Sequence, residues 1–418
     1  MAYEFSCDEV RFLASPDGAA ALESAGRLAL SGSTYLADLT MVRTVAGGHA
    51  AAVAETVLLR RKAIGRWGDG IWSRWLFTDE ALQQASPPPV ADHRAARIAE
   101  YLAAARSAAR DDAAHDLTCS VGADLAALDA ALSPLGVPVI GSDLDPVRLA
   151  MARHNLSVSG RTALVMRADA RTVTTRAAMR YADPARRDAA GRRIASADTI
   201  PSVAELDAAD PARPPVLRLP PGIDYGALAR PGEIEIVSWG GSVREAVSWP
   251  DDLAAARRRA TVLGDGASPG IRDQFTDRDP AEDGVTPARR YLVEPDGAVI
   301  RAHLVRQFAA RYHLTRLDEH LAYLTGDEPP AGLRAFEILD AAPFAEKTVR
   351  GWLRRDGVGT VEIKQRGTPI VPDDLRRRLR PVGDTRRART LILARIGRST
   401  RAFWCRVSGA DGAQHTVA

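Results

Sequence analysis

The sequence has few of the residues from which cross-links and metal sites are built. Its 418 residues include only three cysteines, Cys7, Cys119 and Cys405, which lie far apart and form no Cys-x-x-Cys pair. The eight histidines show no His-x-x-x-His or similar ligand spacing. We therefore expect no disulfide framework and no metal site, and a reducing cytoplasm is the expected compartment.

Long apolar runs and lysines are also scarce. No run approaches the roughly 18 apolar residues that a membrane-spanning helix needs, and the first residues do not resemble a secretory signal, so no membrane partner is expected. Lysine occurs only at positions 62, 347 and 364, so nearly all of the 56 basic residues are arginine. Residues 331–418 carry 18 Arg and Lys against 9 Asp and Glu, although the net charge of the whole chain is only +3. The C-terminal end is therefore basic and would attract a polyanion.

The pattern of apolar residues predicts three parts. Residues 1–90 show helical spacing, which predicts a helical N-terminal domain. In residues 91–330, strands and helices alternate from about His115 onwards, as in a parallel sheet. Residues 331–418 read as a small, basic α+β domain. We expect the Pro- and Asp-rich residues 198–222 to form an ordered loop at the active-site edge or a flexible insert.

A nucleotide-binding pattern occupies residues 115–155: strand, turn of small residues, helix, strand, carboxylate. Small residues let the backbone approach a ligand closely, and the acid after the second strand, Asp143, can accept hydrogen bonds from ribose hydroxyls. Only Gly122 stands where a dinucleotide fingerprint requires glycine, and the absence of Gly-Lys-Ser/Thr excludes a P-loop. The pattern therefore predicts a nucleotide-like cofactor of another kind.

The turn resembles motif I of class I S-adenosylmethionine (SAM) methyltransferases, acid-x-small-x-small-x-Gly. Its residues here are Asp116, Thr118, Ser120 and Gly122. Residues 141–155 resemble motif II of that family, which places ribose binding on Asp143, while Asp145 and Pro146 are expected to begin the next helix. Asp169, after the third strand, is expected to hold the adenine amino group. The resemblance implies SAM as the cofactor and a Rossmann-like α/β sheet.

The residues after the fourth strand, Asp183-Pro184-Ala185-Arg186, resemble the Asp-Pro-Pro-x signature of enzymes that methylate nucleobases. Asp183 would accept a hydrogen bond from an exocyclic amine, and Pro184 would turn the chain sharply. Arg186 stands where that signature commonly has an aromatic residue. RNA uridine methyltransferases with Asp-Pro-Ala-Arg also need a cysteine after the fifth strand. We identify that place with residues 238–242, which contain none, so covalent uridine methylation is disfavoured.

The whole chain resembles a bacterial family that combines a helical N-terminal region, a class I SAM methyltransferase domain and a C-terminal THUMP-like domain. Residues 116–118, 141–146, 183–187, 291–295 and 361–364 carry this resemblance. Because THUMP domains bind RNA, the resemblance implies an RNA partner. The residues expected to contact it are Lys364, Arg366, Arg376 and Arg377. In the helical region, Trp67, Trp72 and Trp75 either stack on bases or pack in the core.

The expected function is therefore SAM-dependent methylation of a base nitrogen of tRNA or rRNA by direct in-line transfer. Two alternatives remain open from the sequence. One is a methyltransferase for a small molecule or a protein, whose C-terminal module serves dimerisation. The other is a non-catalytic RNA-binding protein in which the SAM fold is vestigial.

Overall fold

The computed structural model of the chain describes residues 3–105, 113–185, 199–226, 228, 230–265 and 269–408. It divides into two compact units, one comprising residues 1–257 and 262–272 and the other residues 258–261 and 273–418. In the part of the chain that is described, no helix is both long enough and apolar enough to cross a membrane.

The first unit begins with a helical region. Its helices are α1 (Cys7–Leu13), α2 (Pro16–Gly26), α3 (Tyr35–Ala46), α4 (Ala50–Trp67), α5 (Asp79–Gln84) and α6 (Pro88–Ala105). Capping residues in the sequence fix where several of these helices begin. Ser6 and Glu9 form a capping box at α1, and Thr78 caps α5 by accepting the Ala81 N–H. Their buried side chains join one core with those of the sheet that follows.

The first unit contains a Rossmann-like sheet. Its elements are β1 (Ala114–Asp116), α7 (Ala123–Leu132), β2 (Val139–Asp143), α8 (Pro146–Val158), β3 (Leu164–Arg167), β4 (Met179–Ala182), α9 (Val203–Ala209), β5 (Val216–Leu219), β6 (Glu233–Trp239) and β7 (Ser242–Trp249). The sheet has nine strands, and the order of those that lie wholly in the first unit is β3-β2-β1-β4-β5-β7-β6. Strands β1 to β5 are parallel, and β7 is antiparallel to both of its neighbours. The predicted α/β fold class is confirmed.

The segment 198–222 contains an element that the sequence analysis missed. It holds α9 and the strand β5, which pairs in parallel with β4 inside the sheet. The expectation of a loop or a flexible insert is wrong in this respect. The strand has only four residues and lies between two Pro-Pro pairs, and proline favours a turn or an irregular segment when the sequence is read locally.

The second unit has its own sheet. The strands β8 (Arg258–Leu263) and β9 (Ile271–Thr276) are divided between the units, and the remaining elements are β10 (Tyr291–Val293), α10 (Gly297–Arg301), α11 (Val305–Arg311), β11 (Thr315–Arg316), β12 (Leu324–Gly326), β13 (Ala335–Pro343), α12 (Glu346–Asp356), β14 (Val358–Arg366), α13 (Pro372–Leu379), β15 (Asp384–Ile396) and β16 (Ser399–Ser408). The strand order is β11-β12-β10-β13-β16-β15-β14. Because β10, β11 and β12 precede residue 331, this sheet begins earlier in the chain than the expected boundary between residues 330 and 331.

Candidate functional site

Three carboxylates meet at one edge of the first sheet. Asp116 is the last residue of β1, Asp143 is the last residue of β2, and Asp183 directly follows β4. Because these strands are parallel, their carboxyl ends lie at the same edge, where α/β sheets bind ligands. All three residues line a cavity of about 300 Å³, together with Asp169 after β3.

The turn between β1 and α7 is tied to both flanking carboxylate segments. The Thr118 N–H donates to Asp116 Oδ1 (3.1 Å), and Thr118 Oγ1 accepts the N–H of Asp183 (2.7 Å). The Ser120 N–H donates to Asp143 Oδ2 (3.0 Å). Thr118 therefore does more than keep the turn small, because its hydroxyl connects the turn between β1 and α7 to the segment after β4.

Gly122 and Ser120 adopt left-handed backbone conformations in this turn. Gly122 has φ +87° at the start of α7, and a Cβ there would lie 3.3 Å from the Cβ of Ala152 on α8. Glycine therefore lets α7 and α8 approach closely. Ser120 has φ +48°, which a residue with a side chain rarely adopts, so the turn holds a strained residue beside the cavity.

Asp143 and Asp145 have different roles: Asp145 stands at the start of α8, as the sequence predicts, and Asp143 faces the cavity. Asp145 Oδ1 accepts the N–H groups of Val147 (2.8 Å) and Arg148 (3.3 Å), so it caps α8 and this prediction is confirmed. The two oxygens of Asp143 accept the N–H groups of Ser120 and Asp145, which fixes its carboxylate toward the cavity. Each carboxylate oxygen has more than one lone pair, so Asp143 still fits ribose hydroxyls, and that role stays a prediction.

Asp169 already has a strong partner. Arg171 Nη2 lies 2.6 Å from Asp169 Oδ2, and the backbone N–H of Arg171 donates to Oδ1 (2.9 Å). Hydrogen bonds from the Arg171 side chain and backbone hold the pKa of Asp169 below its usual value. An adenine amino group would share this carboxylate with Arg171, and the adenine-binding role of Asp169 stays a prediction.

Asp116 carries a buried oxygen that has no partner among the described residues. Its Oδ2 makes no hydrogen bond, although the residue is only 1% exposed and lines the cavity. Burial, followed by the nearby charge of Asp124, raises the pKa of Asp116 well above its usual value. An N–H donor from a ligand would satisfy this atom. The positively charged methionine portion of SAM supplies N–H donors, so these residues fit the cofactor that the sequence resemblance implies.

Replacing Asp116 with Asn is expected to change the pH dependence of stability. In the folded wild-type protein Asp116 keeps its proton above about pH 4, where an unfolded aspartate loses it. The folded state then binds more protons than the unfolded state, so this residue lowers the free energy of unfolding as the pH rises toward its raised pKa. Urea denaturation at pH 5 and pH 8 should show the variant gaining stability relative to wild type as the pH increases. A difference that does not change with pH would contradict a raised pKa for Asp116.

The segment after β4 begins with Asp183 and the buried Pro184, which both lie at the cavity edge of the sheet. The Asp183 carboxylate forms an ion pair with Arg218 on β5, and 24% of its side chain is exposed. Arg186, the third residue assigned to catalysis, lies outside the described residues. The catalytic roles of all three stay predictions.

A buried network of charges lies behind Asp183, and the sequence analysis did not find it. Arg218 Nε donates to Glu245 Oε2 (3.1 Å) on β7. Arg94 on α6 contacts both oxygens of Glu245 (2.6 and 2.7 Å) and also Asp124 Oδ1 (2.6 Å) at the start of α7. Burial opposes the charge of Arg218, but Asp183 and Glu245 raise the pKa of its guanidinium above the usual value. The only local signal is an arginine inside the four-residue apolar strand β5.

The position assigned to a nucleophilic cysteine needs correction. Residues 238–242 form the hairpin between β6 and β7, whereas the true fifth strand is β5 and is followed by residues 220–223, Pro-Pro-Gly-Ile. The error follows from missing β5. Neither segment contains cysteine, so the argument against covalent uridine methylation does not depend on this choice.

The tryptophans of the helical region pack within the first unit. Trp75 is 6% exposed, and its Nε1 donates to the Oγ of Ser159 (2.9 Å), the residue that directly follows α8. Trp67 and Trp72 form an edge-to-face pair with ring centroids 5.7 Å apart. These contacts favour packing over base stacking as the role of this cluster.

The four residues expected to contact RNA lie in the second unit, and each has an acidic partner there. Lys364 and Arg366 on β14 both contact the Glu294 carboxylate, at 2.9 and 2.7 Å. On α13, Arg376 pairs with Asp373, and Arg377 pairs with Asp374. Arg377 is the most exposed of the four. Their contact with RNA stays a prediction. Within the described residues, no group of three or more His, Cys, Asp or Glu side chains is placed to hold a metal ion.

Comparisons with known proteins relate the two ends of the chain to recorded families. Residues 333–407 match the family model described as "THUMP domain-like", and residues 6–63 match a domain of unknown function, DUF8688. The first match lies within the second unit and agrees with the C-terminal resemblance found in the sequence.

Two further comparisons match most of the chain, including the part between these two families. The chain is 44% identical over 376 residues to an uncharacterized SAM-dependent methyltransferase of Mycobacterium tuberculosis, found in two strains, with 87% of this chain and 98% of the relative covered. A solved structure from Porphyromonas gingivalis, provisionally named a methyltransferase, superposes with a TM-score of 0.67 at 18% identity and covers 98% of this chain and 100% of that chain. That structure supports the fold alone, whereas the mycobacterial relative is similar enough to show the family.

Proposed function

Because the chain belongs to the SAM-dependent methyltransferases, we propose that it transfers a methyl group from SAM to a base nitrogen of tRNA or rRNA. The observation that carries this proposal is the place of Asp183, which follows β4 and lines the same cavity as the cofactor-turn residues Asp116 and Ser120. The THUMP domain-like match supports RNA as the substrate, and the compartment we propose is the cytoplasm.

SAM supplies an electrophilic methyl group on a sulfonium sulfur. We assign its binding to the turn from Asp116 to Gly122, to Asp143 for the ribose, and to Asp169 for the adenine. The buried Asp116 oxygen would accept N–H groups from the ligand, and the fixed Asp143 carboxylate would accept hydroxyl groups. The residues that we assign to SAM thus lie together at the ends of β1, β2 and β3.

Asp183 is the residue we assign to the acceptor base. Its carboxylate would accept a hydrogen bond from an exocyclic amine and direct the nitrogen lone pair toward the methyl group, while Pro184 fixes the turn that aims it. Arg218 and the Thr118 hydroxyl hold Asp183 from two sides, through its side chain and its backbone N–H. Alignment of this kind supplies much of the rate enhancement in a direct transfer reaction.

The test uses methyl-tritiated SAM and a cell extract from a strain that lacks the gene, separated into RNA, protein and small molecules. We expect label in the RNA fraction, and ribonuclease treatment should release it. The matched blank is Asp143→Ala, which removes the assigned ribose acceptor. Label confined to protein or small molecules, or no label despite measurable SAM binding, would contradict an RNA substrate.

A further inference from the structure

The hairpin between β6 and β7 extends beyond the carboxyl end of β5, at the edge of the first sheet where the cavity lies. Strand β7 is antiparallel to β5, and Leu219, the last residue of β5, pairs with Ala246. The residues before Ala246 therefore extend beyond the carboxyl end of β5, on the side where ligands bind. Arg244 lies in this extension, next to Glu245, which contacts the Arg218 that holds Asp183.

Arg66, at the end of α4, reaches the same region from the helical part of the unit. Its Nη1 donates to the carbonyl oxygens of Leu82 (2.5 Å) and Gln83 (3.3 Å). The next carbonyl, that of Gln84, accepts a hydrogen bond from Arg218 (2.8 Å). Arg66 and Arg218 thus bind consecutive carbonyl groups at the end of α5, and Gln84 lines the cavity.

Arg66 and Arg244 differ from Arg94 and Arg218 because neither has an acidic partner among the described residues. Within the described ranges, their hydrogen bonds go only to backbone carbonyl groups, whereas Arg94 and Arg218 are each paired with two carboxylates. Burial, followed by the charges of Arg244 and Arg218, lowers the pKa of Arg66, and burial also lowers the pKa of Arg244. The guanidinium groups of Arg66 and Arg244 therefore carry positive charge that is paired with no carboxylate among the described residues, and an anionic ligand would stabilise that charge.

Each guanidinium is supported by an aromatic ring. The guanidinium carbon of Arg66 lies 5.4 Å from the centroid of the Trp67 ring, and that of Arg244 lies 5.4 Å from the Trp239 ring. Arg244 Nε also donates to the Trp239 carbonyl (2.9 Å). These contacts restrict the conformations of both side chains. The remaining guanidinium N–H groups can form bidentate hydrogen bonds with a phosphate.

We propose that Arg66 and Arg244 bind phosphates of the RNA backbone beside Asp183, so that the target nucleotide is held at the cavity by the first unit itself. This inference rests on the proposed function for the identity of the polyanion as RNA. It assigns substrate binding to two residues outside the basic C-terminal segment.

The test measures the dissociation constant of fluorescein-labelled total tRNA at several KCl concentrations. The double variant Arg66→Gln/Arg244→Gln should bind about tenfold or more weakly at low salt. Its slope of log affinity against log salt should fall by roughly 1.4, because two phosphate contacts are lost at about 0.7 each. Replacement of both residues by Lys should retain most of the slope. The control Arg27→Gln/Arg43→Gln removes two exposed charges, one directly after α2 and one in α3, and should match wild type.

Separate readouts distinguish the possible failures. Affinity for SAM and the melting temperature of each variant report whether the fold is intact. If the double variant unfolds, Arg244→Gln alone decides the question through a slope decrease of about 0.7. If wild type binds and methylates RNA while folded variants keep its affinity and slope, this inference fails and the proposed function stands. If wild type neither binds nor methylates RNA, the proposed function fails, and the inference fails with it.

Discussion

Replacement of Asp183 by Asn is expected to reduce the rate of methyl transfer by about 100- to 1,000-fold and to leave SAM affinity within about twofold of wild type. Asparagine keeps the shape of the side chain, and the backbone N–H bond to Thr118 remains. The variant loses the charged acceptor that we assign to the amine and the ion pair with Arg218. Single-turnover transfer to RNA and calorimetric titration with SAM measure the two quantities separately.

A matched control for this variant is Asp145→Asn. Asp145 caps α8 but does not line the cavity, and asparagine caps a helix about as well as aspartate, so its replacement should change the free energy of unfolding by less than about 0.5 kcal/mol and leave the transfer rate unchanged. If Asp183→Asn transferred methyl groups at the wild-type rate, Asp183 would have only a structural role in the turn. The assignment of the acceptor base to this edge would then be overturned.

Replacement of Arg94 by Met is expected to lower the free energy of unfolding by about 3–5 kcal/mol. Arg94 is 2% exposed and contacts Glu245, which is also buried, and Asp124, whose side chain is 12% exposed. Burial opposes its charge, but these two carboxylates raise its pKa well above the usual value, so the guanidinium stays charged. Methionine would leave both carboxylates without this partner, although Glu245 would keep Arg218. Urea denaturation of wild type and variant measures the difference.

Two comparisons test the cause of that loss. Arg27→Met breaks an exposed pair with Glu23 on α2 and should cost less than about 1 kcal/mol. Adding Glu245→Gln to Arg94→Met should restore part of the stability, because a neutral amide is less costly to bury than an unpaired carboxylate. A loss below about 1 kcal/mol for Arg94→Met alone would mean that water replaces the ion pairs and that the network is not a structural requirement.

The sequence predicted the parts of the site that are encoded locally. Asp116, Asp143 and Asp183 each stand at or directly after the end of a short strand, and a parallel sheet brings such strand ends together, so these positions could be found from the sequence. The cap at Asp145 was likewise readable from the following proline. Such features depend on a few neighbouring residues and on one topological rule.

The remainder depends on contacts between distant residues. Arg94 and Glu245 are 151 positions apart, so no local pattern indicates that they meet. The strand β5 is defined by its pairing with β4 and β7 rather than by its four residues, and its omission displaced the expected fifth-strand turn to residues 238–242. The extension that carries Arg244 was hidden for the same reason, because its place is fixed only by the register between Leu219 and Ala246.

The end of the helical region forms one wall of the cavity to which we assign SAM, through Ala81, Gln84 and Ala85. Glu80 pairs with Arg148 of α8 (2.6 Å), and the backbone of Leu76 exchanges two hydrogen bonds with the Asn155 side chain. The first sheet therefore does not form the complete cavity without the N-terminal helices. Deleting the first hundred residues, or exchanging them for another sequence, would remove one side of the cavity together with Arg94, one of the two arginines paired with Glu245. The N-terminal helices and the sheet are accordingly one structural unit, and a sequence that supplied the sheet alone would not supply the whole cavity.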